Sequence, residues 1–228
     1  DDPVGYSQII RQRAKISDLE SFRRNITFAK GFLDASETAL QNIYDGLLRA
    51  QELGIAMAND TYDASNRQAA ADEVKSITDS IISEANTRFQ SRYVFSGFRT
   101  QTSTLDQNGN YLGDDGQIFF ETGSGRYSQI NVSGREIFNA SQDEVSKGHV
   151  GLVESLKRVE KALAKNDGDL LSRSLGEIGY QMEKSLRSRV KLGVSYRELE
   201  QLDNSLVSEK EKERKTLSEV EDLDIISA

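Results

Sequence analysis

The stretch that decides the fold reads LESFRRNITFAKGFLDASETALQNIYDGLLRA, residues 19–50. Taken in alternating steps of three and four, it gives Leu19, Phe22, Ile26, Ala29, Leu33, Ser36, Leu40, Ile43, Leu47 and Ala50. Only Ser36 interrupts the apolar series, and serine is small. An α-helix turns once per about 3.6 residues, so such steps stack side chains on one face. A seam this regular over more than four heptads is what a long helix needs to lie along a partner helix. Helices of compact catalytic domains are usually much shorter. The pattern therefore predicts one long helix, beginning near Pro3 and running to about Met57, with Asp2 as its cap and Pro3 in the first turn, where a missing N–H costs nothing. Pro3 is the single proline in 228 residues, which leaves the rest of the chain free to form long helices.

Outward from that helix, Asn59–Asn66 is a turn by composition. The Ser65/Gln68 spacing is that of a capping box. A second helix is expected from Asn66 to about Arg92, with Ala70, Val74, Ile77, Ile81 and Ala85 on one face, folded back on the first. At Tyr93 the period changes. Tyr93-Val-Phe-Ser-Gly97 is β-prone, and a stretch rich in Gly, Asn, Asp, Ser and Thr follows. Within it, Gln117–Glu121 and Tyr127–Val132 read as strands joined by a Gly-containing hairpin turn.

Helical periodicity resumes after Ser141, which has Glu144 at the capping-box spacing. Leu152, Leu156, Val159 and Leu163 form a short stripe that Asn166-Asp-Gly-Asp169 ends. A last long helix is expected from about Leu170 towards Glu221. Its stripe reads Leu171, Leu175, Ile178, Met182 and Leu186, then Leu192, Tyr196, Leu199, Leu202 and Leu206, with a drift in phase between the halves. Ser208–Lys215 is charged and expected to face solvent or an outside partner. The fold class is thus mainly α with an inserted small β domain: an elongated, rod-like antiparallel helical bundle plus an antiparallel β unit. The divisions fall at 1–99 and 146–228 for the two halves of the helical domain and at 100–145 for the β-rich insertion. If the two long helices pack antiparallel, Asp1 and Ala228 come to the same end. The start at Asp1, without Met or a signal-peptide pattern, is read as that of a fragment.

Composition narrows the function classes. The net charge is -8, with 37 acidic against 29 basic residues, which argues against a phosphate-binding surface and hence against nucleic acid or an anionic membrane as partner. No apolar run approaches a membrane span. Without cysteine there is no disulfide framework.

Three motifs carry a chemical reading and a plainer one. Asp106, Asn108 and Asn110 match the first ligand positions of a calcium loop, but Tyr111 stands where that loop needs glycine and Gln117 replaces its closing glutamate; a polar turn fits better. Gly123-Ser-Gly125 lacks the lysine and the helix of a phosphate loop and reads as a hairpin turn. His149 is the only histidine, so neither a zinc site nor a histidine relay assembles around it. Asn25, Asn59, Asn131 and Asn139 match the glycosylation pattern, the first mid-helix, and read as chance matches. We expect no enzyme, no catalytic residue, no cofactor and no metal.

Several stretches together resemble a known family. They are Asp1-Asp-Pro-Val4, Arg49-Ala-Gln-Glu-Leu53 with Ala56-Met-Ala-Asn59, Tyr93-Val-Phe-Ser-Gly97, Arg189-Val-Lys-Leu-Gly193 and Glu221-Asp-Leu-Asp224. The set resembles the flagellin superfamily, and within it the hook–filament junction proteins (the hook-associated protein 3 family), through Asp-Pro-Val at the start and Val-Phe-Ser-Gly at the β switch. Ile225-Ile-Ser-Ala228 departs from the family, which more often has an aromatic residue followed by alanine and glutamate. The resemblance implies a flagellin-like helical D1 domain with a projecting D2 insertion. It further implies a bacterial structural protein without catalysis, exported by the flagellar secretion system with no cleaved signal peptide and placed outside the cell. Its subunits would stand side by side in a tubular layer, meeting another hook-associated protein and flagellin along the axis and an export chaperone before assembly. The fragment alone is expected to be monomeric. The alternatives are flagellin itself, an adhesin-type helical stalk, or an enzyme using the β insertion. Arg49, Glu52 and Asn59, near the turn after the first helix, are the expected subunit-contact residues.

Overall fold

The computed structural model describes residues 3–59 and 62–227, with side chains for residues 5–59 and 62–221. The expected cap Asp2, the turn residues Asp60 and Thr61, and the side chains after Glu221 lie outside this set. Helix α1 spans Pro3–Met57 and buries the quoted seam: Leu19, Ile26, Ala29, Leu33, Ser36, Leu40, Ile43, Leu47 and Ala50 are all nearly inaccessible to solvent. Phe22 is the exception, only half-buried. Ser36 fits the seam because its Oγ donates to the Phe32 carbonyl oxygen at 2.8 Å, so no polar atom is left unmet.

Helix α2 spans Ala64–Ala85 and is shorter at its end than expected. Its cap is Asp63, whose side chain accepts from the Asn66 backbone N–H, not Ser65 with Gln68. It stops because Asn86 ties its side chain to the backbone of Leu105 in both directions, at 3.0 Å each. The chain then makes a tight hairpin, β1 (Arg88–Phe89) against β2 (Arg92–Tyr93). Gln90 and Ser91 both take positive φ, the condition of a type I′ turn. Neither residue type advertises such a turn, so the helical pattern was read straight through it.

Strands β3 (Phe119–Gly123) and β4 (Arg126–Gln129) form an antiparallel hairpin, with Phe119 opposite Gln129 and Gly125 at positive φ in the turn. Both strands begin or end a few residues from the expected bounds. Beyond them Asn131 replaces further strand pairing: its side chain accepts from the Ile118 N–H and donates to the Gly116 carbonyl. Two short helices follow, α3 (Gly134–Phe138) and α4 (Gln142–Ser146), the latter opened by the expected Ser141/Glu144 capping box. Helix α5 spans Leu152–Lys165 and buries Leu152, Leu156, Val159 and Leu163; Asn166, in the left-handed region, closes it. Helix α6 runs Gly168–Ser227.

The buried face of α6 differs from the expected one. Leu171, Ser174, Ile178, Gln181, Ser185, Ser188, Leu192, Leu199 and Leu206 are buried, all at steps of three, four or seven. Leu186 is exposed, and Leu175, Met182, Tyr196 and Leu202 are only half-buried. There is no drift in phase. The seam is continuous, and small or amide side chains occupy its middle where only apolar ones were sought.

The chain divides into two compact units, which combine pieces of all three segments marked out from the sequence. One joins Asp1–Gly31, Phe119–Ile130 and Val194–Ala228; the other joins Phe32–Ile118 and Asn131–Gly193. In the first, α1 and α6 run antiparallel, as Arg13–Glu221, Glu20–Lys210 and Arg23–Asp203 ion pairs at 2.6–2.8 Å establish. Part of the charged stretch 208–215 is therefore engaged within the chain: Glu209 and Glu213 meet Lys15, and Lys210 meets Glu20. The β3–β4 hairpin lies on α1, with Phe120 stacked on Phe28 at 5.0 Å and Asn25 donating to the Glu121 carbonyl. In the second unit, α1 and α6 are again antiparallel, with Arg189 bonded to Glu37 at 2.7 Å and Ser185 near the Leu40 carbonyl. Helix α2 packs on α1 beside Gly46 and on α5.

Candidate assembly surface

Arg49 and Glu52 lie in the last turns of α1 and Asn59 two residues beyond its end; all three are exposed. Arg49 is occupied within the chain. Its Nε donates to Glu73 of α2 at 2.8 Å, and Glu52, one turn on, stands 3.6 Å away. The Glu73 bond, first among the causes, raises the guanidinium pKa above its already high value. Arg49 thus fastens α2 to α1. The Asn59 carbonyl accepts from the Tyr62 N–H and so begins the turn.

Glu52 shares a helix face with two apolar residues, Leu48 and Ile55, at steps of four and three. Leu48 is 37% and Ile55 61% exposed. A second exposed apolar pair, Leu186 and Val190, stands one turn apart on α6 at 42% and 62%. These residues supply helical periodicity but lie off the buried seams, which is the signal that could have found them. Isolated exposed leucines are ordinary; aligned ones on a helix face mark a surface that something covers.

The other flagged motifs resolve into local structure. The Asp106 carboxylate accepts from the Asn108 and Asn110 N–H groups and from the Asn110 side chain, all at 2.8 Å. Those bonds, the Asn110 side chain foremost, hold its pKa below the usual carboxylate range. The lone pairs a calcium ion would need are spent on closing a turn, and Lys157 donates to the Asn108 carbonyl. Among the described residues no three His, Asp or Glu side chains are grouped so as to hold a metal ion.

His149 sits in the densest polar cluster of the second unit. Its Nδ1 is 2.9 Å from Glu177, and its ring stacks on Tyr180 at 3.7 Å. Tyr180 donates to Glu144 at 2.6 Å, and Lys184, almost wholly buried, bonds both Glu144 and the Asn139 carbonyl. Burial by itself would raise the Glu144 pKa. The Ser141 N–H, Tyr180 and Lys184 outweigh it and hold the carboxyl at about 2. The cluster ties residues 139–150 to α6 through the Lys184–Glu144 ion pair and the hydrogen bonds around it, an arrangement suited to fastening a loop.

No helix among the described residues is long and apolar enough to cross a membrane.

Residues 1–100 match the family of the bacterial flagellin N-terminal helical region. Flagellin FlaB1 of Treponema pallidum is 25% identical over 196 residues, covering 85% of this chain and 62% of its own length; the chain thus spans less than two thirds of that curated relative. Among solved structures, a flagellar hook-associated protein of Vibrio parahaemolyticus superposes with a TM-score of 0.87 at 21% identity, over 96% of this chain and 98% of that one. The flagellar junction protein FlgL of Legionella pneumophila gives 0.75 at 15% identity, over 94% and 100%. Bacillus cereus flagellin gives 0.51 at 20% identity, over 80% and 88%. The family match over residues 1–100, and a fold shared with the hook-associated protein along nearly the whole chain, agree with the motifs quoted from the sequence, which resemble the flagellin superfamily.

Proposed function

We propose that the protein is a structural component of the bacterial flagellum, a junction adaptor between hook and filament. The observation that carries this reading is the contrast in fold likeness: 0.87 to the hook-associated protein over nearly all of both chains, against 0.51 to a flagellin. Copies stand side by side in a tubular layer, with helical segments 1–99 and 146–228 forming its wall and segment 100–145 projecting from it. Another hook-associated protein and flagellin bound the layer along the axis. The protein reaches the cell exterior through the flagellar export channel, held before export by a chaperone. It performs no catalysis. Arg49, Glu52 and Asn59 are the proposed contact region.

Full-length protein added to purified hooks is expected to coat their ends and to permit flagellin to polymerise from them, and a strain lacking the protein is expected to have hooks without filaments. The second reading, a filament subunit, is favoured by the sequence match to a flagellin. Under that reading the purified protein grows into long filaments by itself, which electron microscopy separates from a short cap. Normal filaments in the deletion strain would end the junction reading.

A further inference from the structure

Within the second unit, one side of the α1–α6 pair carries both exposed apolar stripes. On α1, Glu37, Leu40 and Gly54 mark the direction of α6, through their approaches to Arg189, Ser185 and Leu175, and Gly46 marks that of α2. At about 100° per residue, Leu48, Glu52 and Ile55 point roughly a right angle from α6 and about 150° from Gly46. On α6, Leu175, Ser185 and Arg189 mark the direction of α1, and Glu183, Leu186 and Val190 point roughly a right angle from it. Because the helices are antiparallel, the two offsets turn to the same side. That side lies opposite α2, and the residues fastened to loop 139–150 (Glu177, Tyr180, Gln181 and Lys184) point elsewhere on α6.

The charges on this face are mainly acidic. Asp34, Asp45 and Glu52 are exposed on α1, and Glu183 on α6 is offset only by its own neighbour Arg187 at 3.6 Å. The opposite layer has the reverse character. Helix α5, packed on α2, turns Lys157, Lys161 and Lys165 outward at steps of four; Lys161 and Lys165 are exposed, and Lys157, half-buried, donates to the Asn108 carbonyl. Lysine stems of four methylenes can cover Leu48, Ile55, Leu186 and Val190 while their ammonium groups reach the flanking carboxylates. An acidic face cannot pair comfortably with itself, but it complements the lysine row of another molecule, and the two surfaces face different ways.

We propose that the apolar, acid-edged face of α1 and α6 is the docking surface for the lysine-bearing outer face of α5 of a second copy of this chain. The contact is heterologous and repeats head to tail, as a closed ring or helical layer requires. It rests on the assembly reading above and names its lateral surfaces.

The 228 residues contain no cysteine, so each substitution adds a single thiol to this part of the chain, and the unsubstituted full-length protein serves as the cross-linking blank. Val190→Cys and Lys161→Cys versions of the full-length protein, mixed in equal amounts, assembled on purified hooks and treated with a short bis-maleimide, are expected to give a covalent dimer several-fold above either variant alone. Equal cross-linking of the Val190→Cys protein by itself would overturn the proposal in favour of face-to-face pairing. No cross-link in the mixture, with hooks still coated, would overturn the surfaces and leave the junction function standing. Failure of the unsubstituted protein to coat hooks would remove the assembly reading and this inference with it. Charge exchange gives an independent measure: Glu52→Lys with Glu183→Lys is expected to abolish coating without changing helix content, and Lys161→Glu with Lys165→Glu in the same chain to restore it. Coating unaffected by the first pair would equally overturn the proposal.

Discussion

Helices α1 and α6 share the period of their buried seams and differ in what they bury. Between Leu33 and Ala50 the α1 seam contains one polar residue, Ser36. Between Ser174 and Ser188 the α6 seam contains Ser174, Gln181, Ser185 and Ser188, with Ile178 alone apolar among them. One helix supplies most of the apolar volume of the shared layer, and the other supplies small surfaces and hydrogen bonds that let it approach. Ser174 and Ser36 illustrate how: each hydroxyl returns a bond to a carbonyl four residues earlier. A buried polar residue satisfied within its own helix adds little cost and keeps the backbones close.

The sharpest way to break this comparison is on the α1 side. Leu40→Ala removes a fully buried side chain facing the serines and is expected to destabilise the chain by about 2–5 kcal/mol, read from urea unfolding. A loss below about 1 kcal/mol would mean that the polar half of the layer, not α1, holds it together.

Next in size is Lys184→Ala. The side chain is 6% exposed and neutralises Glu144, so its removal leaves a part-buried carboxylate with fewer partners. We expect a loss of about 2–3 kcal/mol, smaller than the full penalty for breaking a buried pair because Tyr180 and the Ser141 N–H remain. The replacement Lys184→Met, which keeps the stem but not the charge, is expected to lose nearly as much if the ion pair is what matters.

The same carboxyl gives a pH signature. Its folded pKa, about 2, lies below the unfolded value near ~4.3. Its contribution is therefore fully present above the unfolded value and is lost as pH falls from about 4 towards 2. Thermal unfolding of the parent chain should lose stability across that window, and Glu144→Gln should flatten the part of the slope due to this site.

These residues also show what could be read in advance. The α1 seam was legible because every one of its positions obeys the rule used to find it: apolar or small, at helical steps. The α5 stripe and the Ser141/Glu144 box were legible for the same reason, each being a local pattern with a local cause. The α6 seam was not, since a serine at a buried position looks like a serine at the surface until its partner helix is known. The β1–β2 hairpin was hidden because Gln90 and Ser91 carry no turn signature. The contact surface was half legible. Glu52 and Asn59 were named from motif resemblance, but the apolar residues beside them became visible only when burial separated seam from surface.

The smallest expected effect tests the comparison most directly. The sequence places Leu186 in the α6 stripe; the structure turns it outward, one residue beyond the buried Ser185. Leu186→Ser should therefore change stability by no more than about 0.5 kcal/mol, as for an ordinary surface position. Leu192→Ala, at a true seam position six residues on, should cost about 2–5 kcal/mol. If Leu186→Ser instead costs as much as Leu192→Ala, the continuous seam through Ser185 and Ser188 is wrong and the phase of α6 does drift. If the two differ as expected, Leu186 is kept apolar for a reason outside the folded chain, and a neighbouring copy on that face supplies one.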